Sequence, residues 1–387
     1  MKKAMFFVLP EKGHINPYIG PAQALKQKGC EVIFAAPADI KKQIEAAGLR
    51  FTQELLSDRK SEQPMQGKDL VELIKDKAAM KAWIQSLLLN VNERDVENYL
   101  RFINEQKPNL IVVDPLYYAA VIAAVLSGVP WVSMSNSLNP VLEDDVKSDL
   151  LDTLNEINVQ RQSLFSRFSV DVSFSGCDAL SPYLTVAFCT EEFVGQRSGE
   201  VKMLGPSWPI GKRGDEVAVL DLPTEPFIFA SFGSQIYYWP EIFKKLITAT
   251  EQLGISLVLS VGDLYDELSL ELRPHVKLFK YAPQLKILPK ASLFITHGGA
   301  NSVMEALASG TPIWLSPMCN DQFHQAHYIQ KKSIGWVQDI SLLDVSEIKN
   351  SILAIQQSDY KTKMSRVTAS YQTNASEKFA ELVKKWI

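Results

Sequence analysis

Cysteine is scarce in this chain. Four occur in 387 residues, Cys30, Cys177, Cys189 and Cys319, and none stands in a C-x-x-C pair. A disulfide scaffold or a thiolate zinc site is therefore not expected, and a reduced, cytoplasmic setting fits better. No apolar run reaches transmembrane length, so no membrane-spanning helix is expected. The apolar stretch at 4–10 follows two lysines, but Glu11 and Lys12 end it too early for a secretory leader. Neither charge sign dominates: Lys and Arg number 40 against 44 Asp and Glu, a net charge of −4. Bulk electrostatics thus favours neither nucleic acid nor an anionic membrane as a partner. Low-complexity segments and short repeats are lacking too. So are several site motifs. No dinucleotide glycine fingerprint follows the first strand, no G-x-x-x-x-G-K-[ST] loop occurs, and no G-x-S-x-G elbow is present. No D-x-D pair offers carboxylates to a divalent ion. Of the five histidines, His324 and His327 stand with Asp321 at i, i+3, i+6, a spacing that drifts around a helix, and no metal centre is expected.

What is present is an alternation of strand-like and helix-like segments in a chain long enough for two domains. Strands are expected at 4–10, 31–37, 109–114, 130–135 and 184–188. Helices are expected at 17–28, 38–47, 66–106, 116–127 and 141–168. Residues 206–226 are rich in Gly and Pro without a period, and read as a linker. The alternation then restarts, with strands at 227–232, 255–261, 292–296 and 312–317. Helices are expected at 240–253, 300–308 and 322–332, and again through the Lys-rich 344–387. This order implies an α/β protein of two doubly wound halves, each a parallel sheet covered by helices, with a cleft between them.

The most informative stretch is YAPQLKILPKASLFITHGGANSVMEALASGTPIWLSPMCNDQ, residues 281–322. Its centre is a strand, a turn of His297, Gly298 and Gly299, and a helix opening near Ala300. Glycines at such a junction let a ligand approach the backbone. The unpaired N–H groups and the dipole of the new helix then favour an anion such as phosphate. Asn301, Ser302 and His297 add side-chain donors. Glu305, one turn on, suits the paired hydroxyls of a ribose. Tyr281 and Gln284 upstream, and Asp321 and Gln322 downstream, complete a set able to hold a base, a ribose, a diphosphate and a sugar.

In order and spacing these landmarks resemble the donor-binding signature of the UDP-dependent glycosyltransferases of family 1, and the string HGGANS looks like that of bacterial natural-product and macrolide members. The resemblance implies a GT-B fold: two Rossmann-like doubly wound domains facing a central cleft. Residues 1–205 would bind the acceptor, 227–365 the UDP-sugar, and a C-terminal helix at 366–387 would cross back to the N-terminal half. It implies that Tyr281 stacks on uracil in place of a Trp, that Gln284 bonds the base edge, and that Asp321 and Gln322 bind sugar hydroxyls. Gly233 and Ser234, in the string SFGS, would lie near the diphosphate.

The string G-H-x-N-P at 13–17 matches the start of the same family, where the His is the general base. His14 would therefore take the acceptor proton. Asp114, at the end of the strand LIVVD, would bond its other ring nitrogen; the plain alternative for Asp114 is a helix N-cap. The implied reaction is inverting transfer of a sugar, most simply glucose, from UDP-sugar to a hydroxyl of a small apolar or aromatic acceptor, with no cofactor or metal. Trp83, Leu87, Leu88, Leu89, Leu138, Val141, Phe165 and Phe168 are candidates for an acceptor pocket or for plain core. Other readings of the same fold are a UDP-GlcNAc 2-epimerase, a lipid-linked GlcNAc transferase and a non-catalytic auxiliary subunit. Neither enzyme would be expected to open with G-H-x-N-P, and an auxiliary would not need the base.

Overall fold

A computed structural model describes residues 1–56, 65–197, 199, 201–214, 221–269 and 273–387. The strands in chain order are β1 (Lys3–Phe7), β2 (Glu31–Ala35), β3 (Arg50–Phe51), β4 (Leu110–Val113), β5 (Trp131–Ser135), β6 (Phe174–Ser175), β7 (Asp178–Ala179), β8 (Leu184–Ala187), β9 (Val201–Met203), β10 (Phe227–Ser231), β11 (Ser256–Ser260), β12 (Val276–Phe279), β13 (Ala291–Thr296), β14 (Ile313–Leu315) and β15 (Trp336–Val337).

The chain divides into two compact units. One gathers Met1–Pro64, Ala78–Asp215 and Thr373–Ile387; the other gathers Met65–Lys77 and Glu216–Gln372. Residues 65–77 thus belong with the second unit, not with the N-terminal domain assigned to all of 1–205. Gly67 shows why: its N–H donates to the carbonyl of Gln235 at 2.6 Å. The helix Ser365–Ser370 also stays with the second unit, and only the chain from Thr373, with the helix Ala375–Val383, joins the first. Of the linker read at 206–226, residues 215–220 lie outside the described residues.

The first unit is built on a seven-stranded sheet in the order β3-β2-β1-β4-β5-β8-β9, every pair parallel. The second has six strands in the order β12-β11-β10-β13-β14-β15, again all parallel. Helices cover both faces of such sheets, so the inner strands read as unbroken apolar runs. LIVV of β4 and FIFAS of β10 are buried at every position. In each sheet the first strand is central, and the chain winds outward from it in both directions. The crevice where winding reverses lies beyond the carboxyl ends of β1 and β4 in one unit, and of β10 and β13 in the other. Ligands bind open α/β sheets at such switch points.

The first helix corrects the sequence reading. It was expected to begin at Pro17, but it spans Lys12–Gln27 and carries Pro17 and Pro21 inside. A proline within a helix orphans the carbonyl four residues back. Here both orphaned carbonyls find donors from elsewhere in the fold. Asn136 Nδ2 donates to the Gly13 carbonyl at 3.2 Å, and Ser207 Oγ to that of Pro17 at 2.5 Å. The helix therefore starts early enough to place His14 in its first turn.

Candidate functional site

In the first unit, β1 and β4 are parallel neighbours in register Phe7↔Val113, and the Asp114 N–H donates to the Phe7 carbonyl at 2.9 Å. The next chain steps carry His14 and Asp114 to the same crevice. His14 Nδ1 lies 2.6 Å from Asp114 Oδ2. The other carboxylate oxygen, Oδ1, accepts the Leu116 N–H at 3.1 Å, which fixes the carboxylate plane. Asp114 is fully buried, whereas His14 keeps part of its ring exposed. Asp114 does not cap the following helix, which begins at Tyr118 with Tyr117 at the cap position. With Nδ1 donating to the carboxylate, the basic nitrogen of the neutral imidazole is Nε2.

In the second unit the equivalent crevice holds the glycine turn. Ser231 ends β10 beside Thr296, which ends β13, so Gly233 and His297 leave the sheet side by side. A methyl group on Gly233 would lie 2.6 Å from Cε1 of His297, and one on Gly299 would lie 2.6 Å from its Nε2. The imidazole is held between two backbones that only glycine permits so close. Gly233 also has φ +81°, in the region that favours glycine. Burial drives the His297 pKa down to about 4, and the backbone of Ser231 opposes this only in part. The ring is therefore neutral at pH 7 and offers an N–H, not a positive charge. Its Nδ1 lies 3.3 Å from Thr296 Oγ1.

Gly299 is the cap of the helix Ala300–Ser309, so Asn301 and Ser302 stand in its first turn, where N–H groups are open to a ligand. Glu305 is one turn further and buried. Gln284 opens a short helix, Gln284–Ile287, that the sequence reading missed. Its Nε2 donates to Glu305 Oε2 at 2.7 Å and lies 3.4 Å from Ser302 Oγ. Gln284 thus bonds the side chain read as the ribose ligand. Tyr281 stands 39% exposed. Asp321 stands at the N-cap position of the helix Gln322–Lys331, without a side-chain capping bond. The Gln322 side-chain oxygen Oε1 accepts the N–H groups of Met318 (2.8 Å) and Cys319 (3.1 Å), so much of its side-chain amide braces the preceding loop. His324 is fully buried, and burial holds its pKa down at about 4, as befits a core histidine. Among the acceptor-pocket candidates, Leu88, Leu138, Val141 and Phe165 are buried, and Phe165 packs edge-on against Tyr118 and Phe174. Trp83, Leu87, Leu89 and Phe168 keep exposed surface.

Comparison with known proteins finds matches in both halves of the chain. Residues 225–375 match the family described as UDP-glucoronosyl and UDP-glucosyl transferase, and residues 12–132 match the glycosyltransferase family 28 N-terminal domain. NDP-glycosyltransferase YjiC of Bacillus subtilis is 26% identical over 357 residues, which cover 90% of this chain and 87% of that one. Oleandomycin glycosyltransferase of Streptomyces antibioticus is 26% identical over 356 residues, 84% of this chain and 76% of that one. Among solved structures, the glycotransferase of kitacinnamycin superposes with a TM-score of 0.76 at 18% identity, covering 100% of this chain and 98% of that one. Glycosyltransferase VinC in complex with dTDP gives 0.71 at 16% identity, over 99% of each chain. The two parallel sheets are those of the GT-B fold. The chain belongs with the bacterial family 1 glycosyltransferases and is an enzyme of the UDP-glycosyltransferase class. Among the described residues, no helix is long and apolar enough to cross a membrane.

Proposed function

We propose that this enzyme is an inverting, metal-independent transferase that moves a sugar, glucose in the first instance, from a UDP-sugar to a hydroxyl of a small apolar or aromatic acceptor. The observation that carries the reading is the His14–Asp114 pair, 2.6 Å apart at the switch point of the first sheet. Asp114 holds the imidazole with Nδ1 protonated. Nε2 then removes the acceptor proton as the acceptor oxygen attacks the anomeric carbon. The bond from that carbon to the diphosphate breaks, and UDP leaves with the electron pair. Attack opposite the leaving group inverts the anomeric centre. The imidazolium that forms is stabilised by Asp114, as in a Ser-His-Asp triad with the acceptor in place of serine.

The leaving charge is met by the N–H groups at the start of the helix Ala300–Ser309, by the Asn301 and Ser302 side chains, and by the neutral N–H of His297. Gly233 and Ser234 line the same crevice from β10. These donors replace a divalent ion as the diphosphate ligand. Tyr281 stacks the base, and Gln284 with Glu305 binds the nucleoside edge and ribose. Asp321 and the remaining capacity of Gln322 bind the sugar. Oleandomycin in the name of one relative fits a hydroxylated apolar acceptor, and gallate in the name of a transferase from Quercus robur, 22% identical over 83% of this chain, fits an aromatic one. Four free, separated cysteines suit a reducing, cytoplasmic setting.

The test is His14→Ala, assayed with UDP-glucose and a panel of phenols and macrolides by mass spectrometry. Transfer is expected to fall by roughly 10²–10⁴, the usual weight of a general base, while calorimetry shows UDP binding unchanged. Near wild-type turnover of the variant on an ordinary alcohol removes His14 from the mechanism.

A further inference from the structure

We infer that Asp178 is a positioning residue of the His14–Asp114 pair, a second buried carboxyl that seats the loop beside His14 and adds its charge to the field at the imidazole. The inference rests on His14 being the base.

Asp178 lies in β7 and is 1% exposed. Ser135 Oγ donates to its Oδ2, and Asn139 Nδ2 donates to its Oδ1 at 2.8 Å. Ser135 ends β5, the strand next to β4, whose end carries Asp114. Between Ser135 and Asn139 in the chain stands Asn136, which bonds the carbonyl of Gly13, the residue before His14. Asp178 thus anchors at both ends the loop that grips the first turn of the His14 helix. Its own strand is tied to the other partner of the pair. The Ala179 N–H donates to the Pro115 carbonyl at 3.2 Å, and Ser133 Oγ donates to the Ala179 carbonyl at 2.6 Å.

An anchor alone does not require a charge. An Asn could keep both contacts, its oxygen accepting from Asn139 Nδ2 and its NH2 donating to the Ser135 hydroxyl, without the desolvation cost of a buried carboxylate. The carboxyl is also electrically part of the pair. Burial pushes it up to about 6; the bonds from Asn139 and Ser135 pull it down, the Asp114 charge pushes it up, and His14 pulls it down. The other groups facing it are the Cys177 thiol, 3.8 Å from Oδ1, and the phenols of Tyr18 and Tyr118, both raised by burial and so neutral. Arg161 reaches the neighbouring Gly176 carbonyl, and Glu11 faces His14 from the helix cap. When ionised, Asp178 favours the imidazolium; when protonated, it does not. Groups coupled in this way titrate as a set.

The experiment is Asp178→Asn, read by kcat/KM against pH and by ring-carbon NMR of ¹³C-labelled histidine, with the His14 signal assigned by its loss in His14→Ala. The acidic limb and the His14 midpoint are both expected to move to lower pH by about one unit, the effect of removing one nearby negative charge at a protein's effective dielectric. Asp178→Glu, which keeps the charge, is expected to restore most of that shift. A variant that loses rate or Tm while the His14 midpoint stays in place makes Asp178 a structural anchor only and overturns the inference. If Asp178→Asn does not fold, the wild-type curve decides: a two-step His14 titration supports the coupling, and a single step of unit slope overturns it. Undiminished transfer by His14→Ala would sink the base assignment instead, and the NMR midpoint would still judge the coupling.

Discussion

Gly299→Ala isolates the packing of His297 from every other effect of a glycine. Gly299 has φ −59° and ψ 142°, angles open to any residue, so alanine brings no backbone strain. Elsewhere such a change stabilises a protein by about 0.4–1 kcal/mol through the unfolded chain. Here the new methyl would lie 2.6 Å from Nε2 and 3.0 Å from Cε1 of His297, where ordinary contact begins at about 3.4 Å. The ring must retreat by about 0.8 Å, and the backbone of Gly233 blocks its other side. Overpacking of this kind costs roughly 1–3 kcal/mol. The net expectation is a loss of about 1–2 kcal/mol with His297 present. In a His297→Ala background the obstacle is gone, and the same change should stabilise. The assay is a double-mutant cycle on the unfolding transition that UDP raises, with UDP affinity measured alongside. A coupling of about 1–3 kcal/mol is expected. Equal cost of Gly299→Ala in both backgrounds would refute the claim that this glycine exists to seat the imidazole.

Acid should weaken the second unit. Burial lowers both His297 and His324 from 6.5 to about 4, so their contribution is complete above 6.5 and is lost as pH falls through 4. Each is worth at most roughly 3 kcal/mol; the UDP-sensitive Tm should fall from pH 7 to 4.5, and a flat profile contradicts the burial argument. If Glu305 binds the ribose, UDP should bind more tightly than 2′-deoxy-UDP by about 1–3 kcal/mol, and Glu305→Ala should erase the difference; equal affinities for wild type remove that role. If backbone and side-chain N–H groups serve the phosphates, as proposed, a chelator should leave transfer intact; loss with EDTA that Mg²⁺ restores overturns the phosphate assignment.

The inner strands were legible because burial on both faces leaves an unbroken apolar run, as in LIVV and FIFAS. The four strands at the sheet edges, β3, β9, β12 and β15, were all missed. They are two to four residues long and partly exposed, as in VKM of β9 and WV of β15, and partners rather than composition make them strands. The start of the first helix was misread for a related reason. Pro17 is a good first helical residue, so local rules begin the helix there. The donors that let the helix run through it, Asn136 and Ser207, lie far away in sequence and carry no local signal.

The site divides along the same line. His14 and Asp114 are 100 residues apart, yet each follows a legible strand, and a doubly wound order makes those strands neighbours. The glycine turn was legible as a place of close approach, but what approaches Gly233 and Gly299 first is the imidazole of His297. Chemistry read as pointing outward is partly spent inward, with Gln284 on Glu305 and Gln322 on its own loop. Asp178 was not singled out at all, because the segment GCDAL has no period and no motif. Its meaning comes from long-range bonds, among them that of the Ala179 N–H of β7 to the carbonyl of Pro115, the residue after Asp114. The sequence names groups that can do chemistry; the switch point of each sheet selects which of them meet.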